Sequence, residues 1–220
     1  MAIARVLLFR LASWLAYGAL TPLYEWVAQL YSDGEWHTWR RQGLAAVQEA
    51  VRGTAAGRRP RVLEVGCGTG ALLVELAQLP CTVLGVDRSS PMLAAARRRS
   101  AGRVALLQGR AEALPLPAGS VDAVVLTFPT EYAYAAATWQ EFARVLIPGG
   151  QVIWIDAGEL RDPGWLVRTL QTLLPGAELA SLMDGIIPRL NELGFTAEWR
   201  VVELPRSRVH VLRARSAGST

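Results

Sequence analysis

Lysine is absent from this chain: its 23 basic residues are all arginine, set against 19 acidic residues for a net charge of +4. Cysteine and histidine are scarce, with two of each in 220 residues, and no internal repeat or low-complexity tract is evident. Each shortage excludes a class of chemistry. Cys67 lies inside a glycine-rich turn and Cys81 opens an apolar run, a placement that suits neither a disulfide framework nor a zinc site. His37 and His210 are too few and too far apart to form a metal cluster, so no metal is expected. No glycine loop is followed by Gly-Lys-Ser/Thr, which argues against a phosphate-loop nucleotidase. The short run Arg97-Arg98-Arg99 falls late in a helical segment, where cations suit the helix dipole, and no nucleic-acid recognition module accompanies it. Nucleic acid is therefore not an expected partner. The mild basicity suits an anionic membrane surface or an acidic substrate, and it equally suits an arginine-rich genome composition. Free cysteines point to a reducing, cytoplasmic compartment.

What the chain does have is an apolar content of 51% and a length that allows one sizeable core. Its most specific segment is Val62-Leu63-Glu64-Val65-Gly66-Cys67-Gly68-Thr69-Gly70. The apolar run Arg61 to Val65 reads as a buried parallel strand, and Ala71 to Leu79 reads as a helix. Glycines between a strand and a helix allow backbone conformations and close ligand approach that a Cβ would block. A second apolar run, Thr82 to Val86, ends in Asp87, about 20 residues downstream, where an acidic side chain can accept hydrogen bonds from ribose hydroxyls. The glycine spacing is E-x-G-x-G-x-G rather than the G-x-G-x-x-G of dinucleotide folds, which disfavours a nicotinamide-dependent oxidoreductase.

These residues resemble the first motif and the ribose-binding acid of the class I S-adenosylmethionine-dependent methyltransferases of the type 11 domain. The resemblance continues through Gln108-Gly109-Arg110-Ala111-Glu112-Ala113-Leu114-Pro115, similar to the segment around the adenine ring. It extends to Val121-Asp122-Ala123-Val124-Val125-Leu126, like the fourth strand, and to Arg144-Val145-Leu146-Ile147-Pro148-Gly149-Gly150, like the turn before the fifth. The resemblance implies S-adenosyl-L-methionine as cofactor and S-adenosyl-L-homocysteine as product. The implied cofactor residues are Glu64, Gly66, Cys67, Gly68, Gly70, Asp87, Arg88, Arg110, Ala111, Glu112 and Thr127. Many relatives carry Asp at the position of Arg110, and Arg cannot accept a hydrogen bond. Adenine recognition then falls to backbone near Ala111 or to Glu112, with Arg110 stacking on the ring or facing solvent.

The expected fold is α/β: a Rossmann-like, doubly wound sheet of about seven strands, mostly parallel with an antiparallel C-terminal strand, plus an N-terminal helical extension. Alternating runs predict strands near 61–65, 82–87, 103–107, 122–128 and 151–157 and helices near 71–79, 90–100 and 136–146, joined by right-handed crossovers. A helix near 179–193 precedes two strands, Thr196 to Leu204 and Arg208 to Ala214, joined by a turn; the resemblance implies that this hairpin lies antiparallel beside the fifth strand.

Residues 1–45 form the other informative region, set apart from a methyltransferase domain over 46–215. No charge occurs from Leu11 to Tyr24, and Trp14, Trp26, Trp36 and Trp39 all precede residue 40. The uncharged stretch is shorter than the about 20 residues a membrane span needs, and Pro22 interrupts it. A secretory signal is set aside because a methyl donor made inside the cell is not available outside. Two readings stand: a helical lid over the substrate cleft, and an interfacial helix in a bilayer with aromatics at headgroup level, peripheral at the inner face of the membrane. The run Gly34-Glu35-Trp36-His37-Thr38-Trp39-Arg40-Arg41 loosely resembles the N-terminal region of the ubiquinone/menaquinone C-methyltransferase branch. Together these features imply a small lipophilic acceptor, quinone-like or phospholipid-like, methylated on an atom that stays open. Candidate catalytic groups are His37 or Glu131 as a base and Tyr132 as a positioning hydroxyl; the plain alternatives are a surface histidine and a helix-start carboxylate. A contrasting reading is a non-catalytic S-adenosylmethionine-binding or membrane-associated scaffold that keeps the fold.

Overall fold

A computed structural model describes residues 21–52, 58–156, 158–165, 167–169 and 185–217. Most of the uncharged run Leu11 to Tyr24, and the first part of the helix expected near 179–193, lie outside the described residues.

Eight strands form one sheet: β1 Arg61–Val65, β2 Thr82–Asp87, β3 Ala105–Gln108, β4 Val121–Thr127, β5 Leu146–Ile155, β6 Glu159–Leu160, β7 Phe195–Glu203 and β8 Ser207–Ser216. The order is β3-β2-β1-β4-β5-β8-β6, with β7 on the other edge of β8. The first five strands pair in parallel, whereas β8 runs antiparallel to β5 from Gln151↔Arg215 to Ile155↔Val211. The C-terminal hairpin therefore sits where the sequence places it. The eighth strand is the two-residue β6, too short for any periodicity to announce. Strand β5 begins at Leu146 rather than 151, because Leu146 pairs with Val121 before a register shift carries the chain through Pro148-Gly149-Gly150.

Helices α1 Thr21–Tyr31, α2 Trp36–Val51, α3 Ala71–Leu76, α4 Ser90–Ser100, α5 Ala136–Val145 and α6 Ile186–Glu192 complete the described elements, with a 3₁₀ turn at Glu131–Tyr134. The central strands are apolar at nearly every position because both faces are covered. Val62, Ala123, Val125, Ile153 and Ile155 meet α2, α3 and α4 through Trp39, Val47, Leu72, Leu76 and Leu93. Leu63, Val65, Val124, Leu126 and Trp154 point the other way, onto Trp139 and Phe142 of α5 and Leu190 of α6. Alternate residues of a strand face opposite layers, so one short run supplies both cores.

The division drawn at residue 45 falls inside α2, whose buried face (Trp39, Ala46, Val47, Val51) belongs to the first of these cores. Trp39 is fully buried and donates from Nε1 to Ser207 Oγ at 2.9 Å; Ser207 Oγ in turn donates to Glu35 Oε2 at 2.8 Å. This chain ties α2 to β8 across the sheet. Trp39→Phe leaves a smaller ring without the indole donor, and an unfolding midpoint in urea is expected to report a loss of about 1–3 kcal/mol.

Candidate functional site

The strand order reverses at β1, which has β2 on one side and β4 on the other. Chains leaving the carboxyl ends of β1 and its neighbours diverge there, opening the crevice in which such sheets bind ligands. A cleft occupies that place, lined by Gly66 and Gly68 after β1, Asp87 to Ser89 after β2, Gly109 to Glu112 after β3, and Thr127 to Tyr132 after β4.

The glycine turn is built on two positions that side chains rarely tolerate. Gly66 has φ +72°, and a Cβ there would stand 2.5 Å from the hydroxyl of Tyr132. Gly70 has φ +76° at the start of α3, and its Cβ would stand 2.8 Å from that of Ala96 on α4. The first glycine keeps the cleft floor open; the second lets α3 and α4 close behind it. Gly66→Ala is expected to cost about 1–2 kcal/mol of stability from the backbone alone, read as a lowered thermal midpoint.

Asp87 organises the turn. Its Oδ2 accepts from Gly68 N at 2.8 Å and its Oδ1 from Ser89 N at 2.8 Å, so one carboxylate fixes the loops after β1 and β2. Burial pushes its carboxyl above the usual range, while the Ser89 and Gly68 amides pull the other way. Glu64 is almost completely buried below the turn. Its Oε1 accepts from Thr127 Oγ1 at 3.2 Å, and its Oε2 has no hydrogen-bond partner among the described residues. Burial pushes its carboxyl up to about 8, against the Thr127 hydrogen bond and the charge of Arg40.

Of the residues assigned from sequence, Gly66, Gly68, Asp87, Arg88, Arg110, Ala111, Glu112, Thr127, Glu131 and Tyr132 line this single cleft. Glu64 and Gly70 act from just beneath it. The thiol of Cys67 faces the core, within reach of Gly85 on β2, and burial holds it strongly protonated, so only its backbone belongs to the turn. Arg110 is exposed and pairs with Glu112 (Nε to Oε2, 3.5 Å), which is itself half-buried in the cleft lining. Tyr132 donates its hydroxyl to Val65 O at 3.2 Å, bracing the 3₁₀ turn against β1. Glu131 is exposed at the cleft rim.

His37 falls outside the lining. It is exposed on α2, and its Nδ1 lies 2.8 Å from Arg40 Nη2, where an arginine can only donate and the imidazole nitrogen must accept. The structure does not bring His37 to the cleft: helical geometry turns it to solvent while Trp36 and Arg40 turn inward.

Two features escaped sequence reasoning. Phe128 is held at φ +48°, a conformation costly for a bulky residue, and it forms the cleft wall with Trp36 stacked behind it at 3.9 Å. Nothing in Thr127-Phe128-Pro129 signals that strain. The other is Glu25 on α1, whose carboxylate pairs with Arg99 of α4 and accepts from Thr69 Oγ1 at 2.5 Å, joining α1 to the glycine turn. The Arg99 hydrogen bonds hold its carboxyl down at about 2.

A family profile described as a methyltransferase domain matches residues 63–154. The chain is 35% identical over 153 residues to a ubiquinone/menaquinone biosynthesis C-methyltransferase of Syntrophotalea carbinolica, covering 67% of this chain and 62% of that protein, less than two thirds of its length. It is 32% identical over 173 residues to an uncharacterized methyltransferase of Mycobacterium bovis, covering 76% of this chain and 69% of that one. Its fold is similar to the crystal structure of an S-adenosylmethionine-dependent methyltransferase from Aquifex aeolicus, with a TM-score of 0.56 at 22% identity over 78% of this chain and 88% of that one. The glycine turn, the Asp87 carboxylate and these likenesses agree: the chain belongs to the class I S-adenosylmethionine-dependent methyltransferase family and is related to its ubiquinone/menaquinone C-methyltransferase branch.

Proposed function

We propose that this protein transfers a methyl group from S-adenosylmethionine to a small lipophilic acceptor of quinone-like class. The observation that carries the reading is the continuity of one cleft, from the Gly66–Asp87 cradle at one end to the aromatic wall at Phe128 at the other. The residues present fit the cofactor. Gly66 lacks the Cβ that would stand against the Tyr132 hydroxyl in the cleft, and the Asp87 oxygens keep lone pairs for ribose hydroxyls beyond their backbone donors. In this reading backbone at Ala111 and the carboxylate of Glu112, both in the cleft lining, receive the adenine edge.

When bound, the sulfonium supplies a methyl group already activated for displacement. The work left to the chain is alignment, which can lower a barrier by about 7–11 kcal/mol. Phe128, Pro129 and Tyr132 line the end of the cleft assigned to the acceptor. A carbon or phenol nucleophile also needs its proton removed, and the rim carboxylate of Glu131 is the base we assign. The quinone-like class is supported by the name of the Syntrophotalea relative and by the aromatic wall.

In this reading the N-terminal segment up to α1 serves as a lid that meets the inner face of the membrane, so that an oily acceptor enters without crossing water, while α2 belongs to the core. The Glu25 contact to Thr69 supports the lid, and the exposure of Trp26 and Leu30 on α1 supports the lipid contact. Among the described residues no helix is long and apolar enough to cross a membrane. Labelled methyl transfer from S-adenosylmethionine into a lipid extract tests the proposal. Label is expected in the organic phase on an aromatic ring product; binding of S-adenosylhomocysteine without any organic-phase label would refute the lipophilic acceptor.

A further inference from the structure

Helix α5 grips the loop between β3 and β4. That loop passes through Ala111 and Glu112, which line the cleft, before it reaches β4. Leu114 stands three residues beyond Ala111, and both of its backbone groups are answered from α5. Glu141 Oε2 accepts from Leu114 N at 2.7 Å, and Arg144 Nη2 donates to Leu114 O at 3.0 Å. Arg144 Nη1 also donates to Leu116 O at 2.8 Å. The two side chains lock each other: Arg144 Nε donates to Glu141 Oε1 at 2.6 Å and Nη2 to Oε2 at 2.7 Å. Paired, charge-assisted contacts of this kind fix direction as well as distance.

The clamp is anchored on both sides. On α5, Trp139 and Phe142 are fully buried, and Trp139 Nε1 donates to Ala133 O at 2.7 Å. On the loop, Leu114 is buried in the second core, and Pro115 packs over Gly109, where a Cβ would stand 2.8 Å from its Cδ. Between these points the chain makes a tight turn, with Ala113 N donating to Arg110 O at 3.2 Å. Ala111 and Glu112 are the two middle residues of that turn, so the clamp on Leu114 sets where their amides and carbonyls lie.

This stretch has few side-chain means of reading a base. Arg110 carries only donors, is 72% exposed and pairs with Glu112, and Ala111 has no polar side chain. Recognition here falls to backbone amides and carbonyls together with one carboxylate. A backbone group cannot change rotamer to meet a ligand; its fit is decided by whatever holds the loop. Adenine offers an amino donor beside a ring-nitrogen acceptor. Hypoxanthine offers the reverse, a carbonyl acceptor beside an N–H donor.

We propose that Glu141 and Arg144 are positioning residues for base recognition, setting the backbone at Ala111 and Glu112 so that the cleft accepts adenine and rejects a 6-oxopurine. Neither side chain lines the cleft, so both act through the loop. The assignment rests on the S-adenosylmethionine reading. It gives a task to Arg144, which the sequence places only at the start of the turn before β5.

S-adenosylhomocysteine and S-inosylhomocysteine share ribose, thioether and amino-acid tail and differ only in the base. Calorimetry on the full-length protein is expected to show wild type preferring the adenosyl ligand by about tenfold or more, since the 6-oxo edge sets like groups against each other. Arg144→Met and Glu141→Gln should each cut that preference by at least about threefold, chiefly through weaker adenosyl binding. Arg144→Lys keeps the charge but loses the fork that reaches two carbonyls, and is expected to retain the preference only in part. Arg58→Met, which removes an ion pair to Asp122 at the far end of β4, is the control for lost stability and should leave the ratio unchanged. A purely structural clamp would lower both affinities together. An unchanged ratio in folded Arg144→Met or Glu141→Gln therefore overturns the assignment, and so does a ratio that falls equally in Arg58→Met. Should both of those clamp variants fail to fold, Arg144→Lys decides: a ratio equal to wild type overturns the assignment and a reduced one supports it. Wild type that binds both ligands alike overturns base reading at this loop; wild type that binds neither overturns the cofactor reading itself, a distinct outcome.

Discussion

Asp87→Ala is expected to weaken binding of S-adenosylhomocysteine by about tenfold or more in calorimetry. Its carboxylate accepts from the amides of Gly68 and Ser89, and so holds the loops after β1 and β2 in one arrangement. Losing a hydrogen bond to a charged group costs about 1.5–3 kcal/mol, and about 1.4 kcal/mol is a factor of ten in affinity. The variant loses at the same time the group proposed to accept from ribose hydroxyls. Folding stability should move less than affinity, because removing the side chain also relieves a buried charge whose carboxyl burial already holds high. Asp87→Asn is the control: an amide can accept from one of the two backbone donors but turns its NH₂ toward the other, so affinity should fall as well. Unchanged affinity in both variants would refute the ribose assignment.

Glu64→Gln is expected to remove a pH dependence from the ligand-free protein. The carboxyl is pushed from 4.5 in an unfolded chain up to about 8 in the fold, chiefly by burial. A raised carboxyl binds its proton more tightly when folded, so its stabilisation is full below pH 4.5 and is lost as pH rises through about 8. Each tenfold gain in proton affinity is worth about 1.36 kcal/mol, so the wild-type loss is on the order of a few kcal/mol. Glutamine mimics the protonated side chain and stays neutral throughout. Urea midpoints between pH 5 and 8.5 should therefore fall for wild type and hold nearly level for Glu64→Gln. Parallel profiles for the two proteins would show that the carboxyl does not titrate in this window.

Much of the site is legible in the sequence because its parts are local. A strand, a positive-φ turn and a helix are encoded within Arg61 to Leu76, and Asp87 ends the next strand in register beside it. The residues whose placement the sequence does not reveal are those whose surroundings depend on distant partners. His37 and Arg40 are three residues apart on α2, yet one faces solvent and the other is buried against Glu75. Composition cannot tell which face of α2 is buried; the rotation of α2 on the sheet does. Arg110 carries no signal of its pairing with Glu112, and Phe128 none of its positive φ.

By itself, then, the sequence determined the glycine turn, the acidic residue that ends β2, and the strand-helix alternation of the parallel run, since each follows from short-range periodicity and the steric needs of glycine, while the antiparallel return beside β5 was implied by resemblance alone. Only the tertiary structure decided which side chains surround the turn. Burial of Glu64, the orientation of Arg40 and the Phe128–Trp36 wall all arise where segments far apart in the chain meet, and no local pattern records a meeting of that kind.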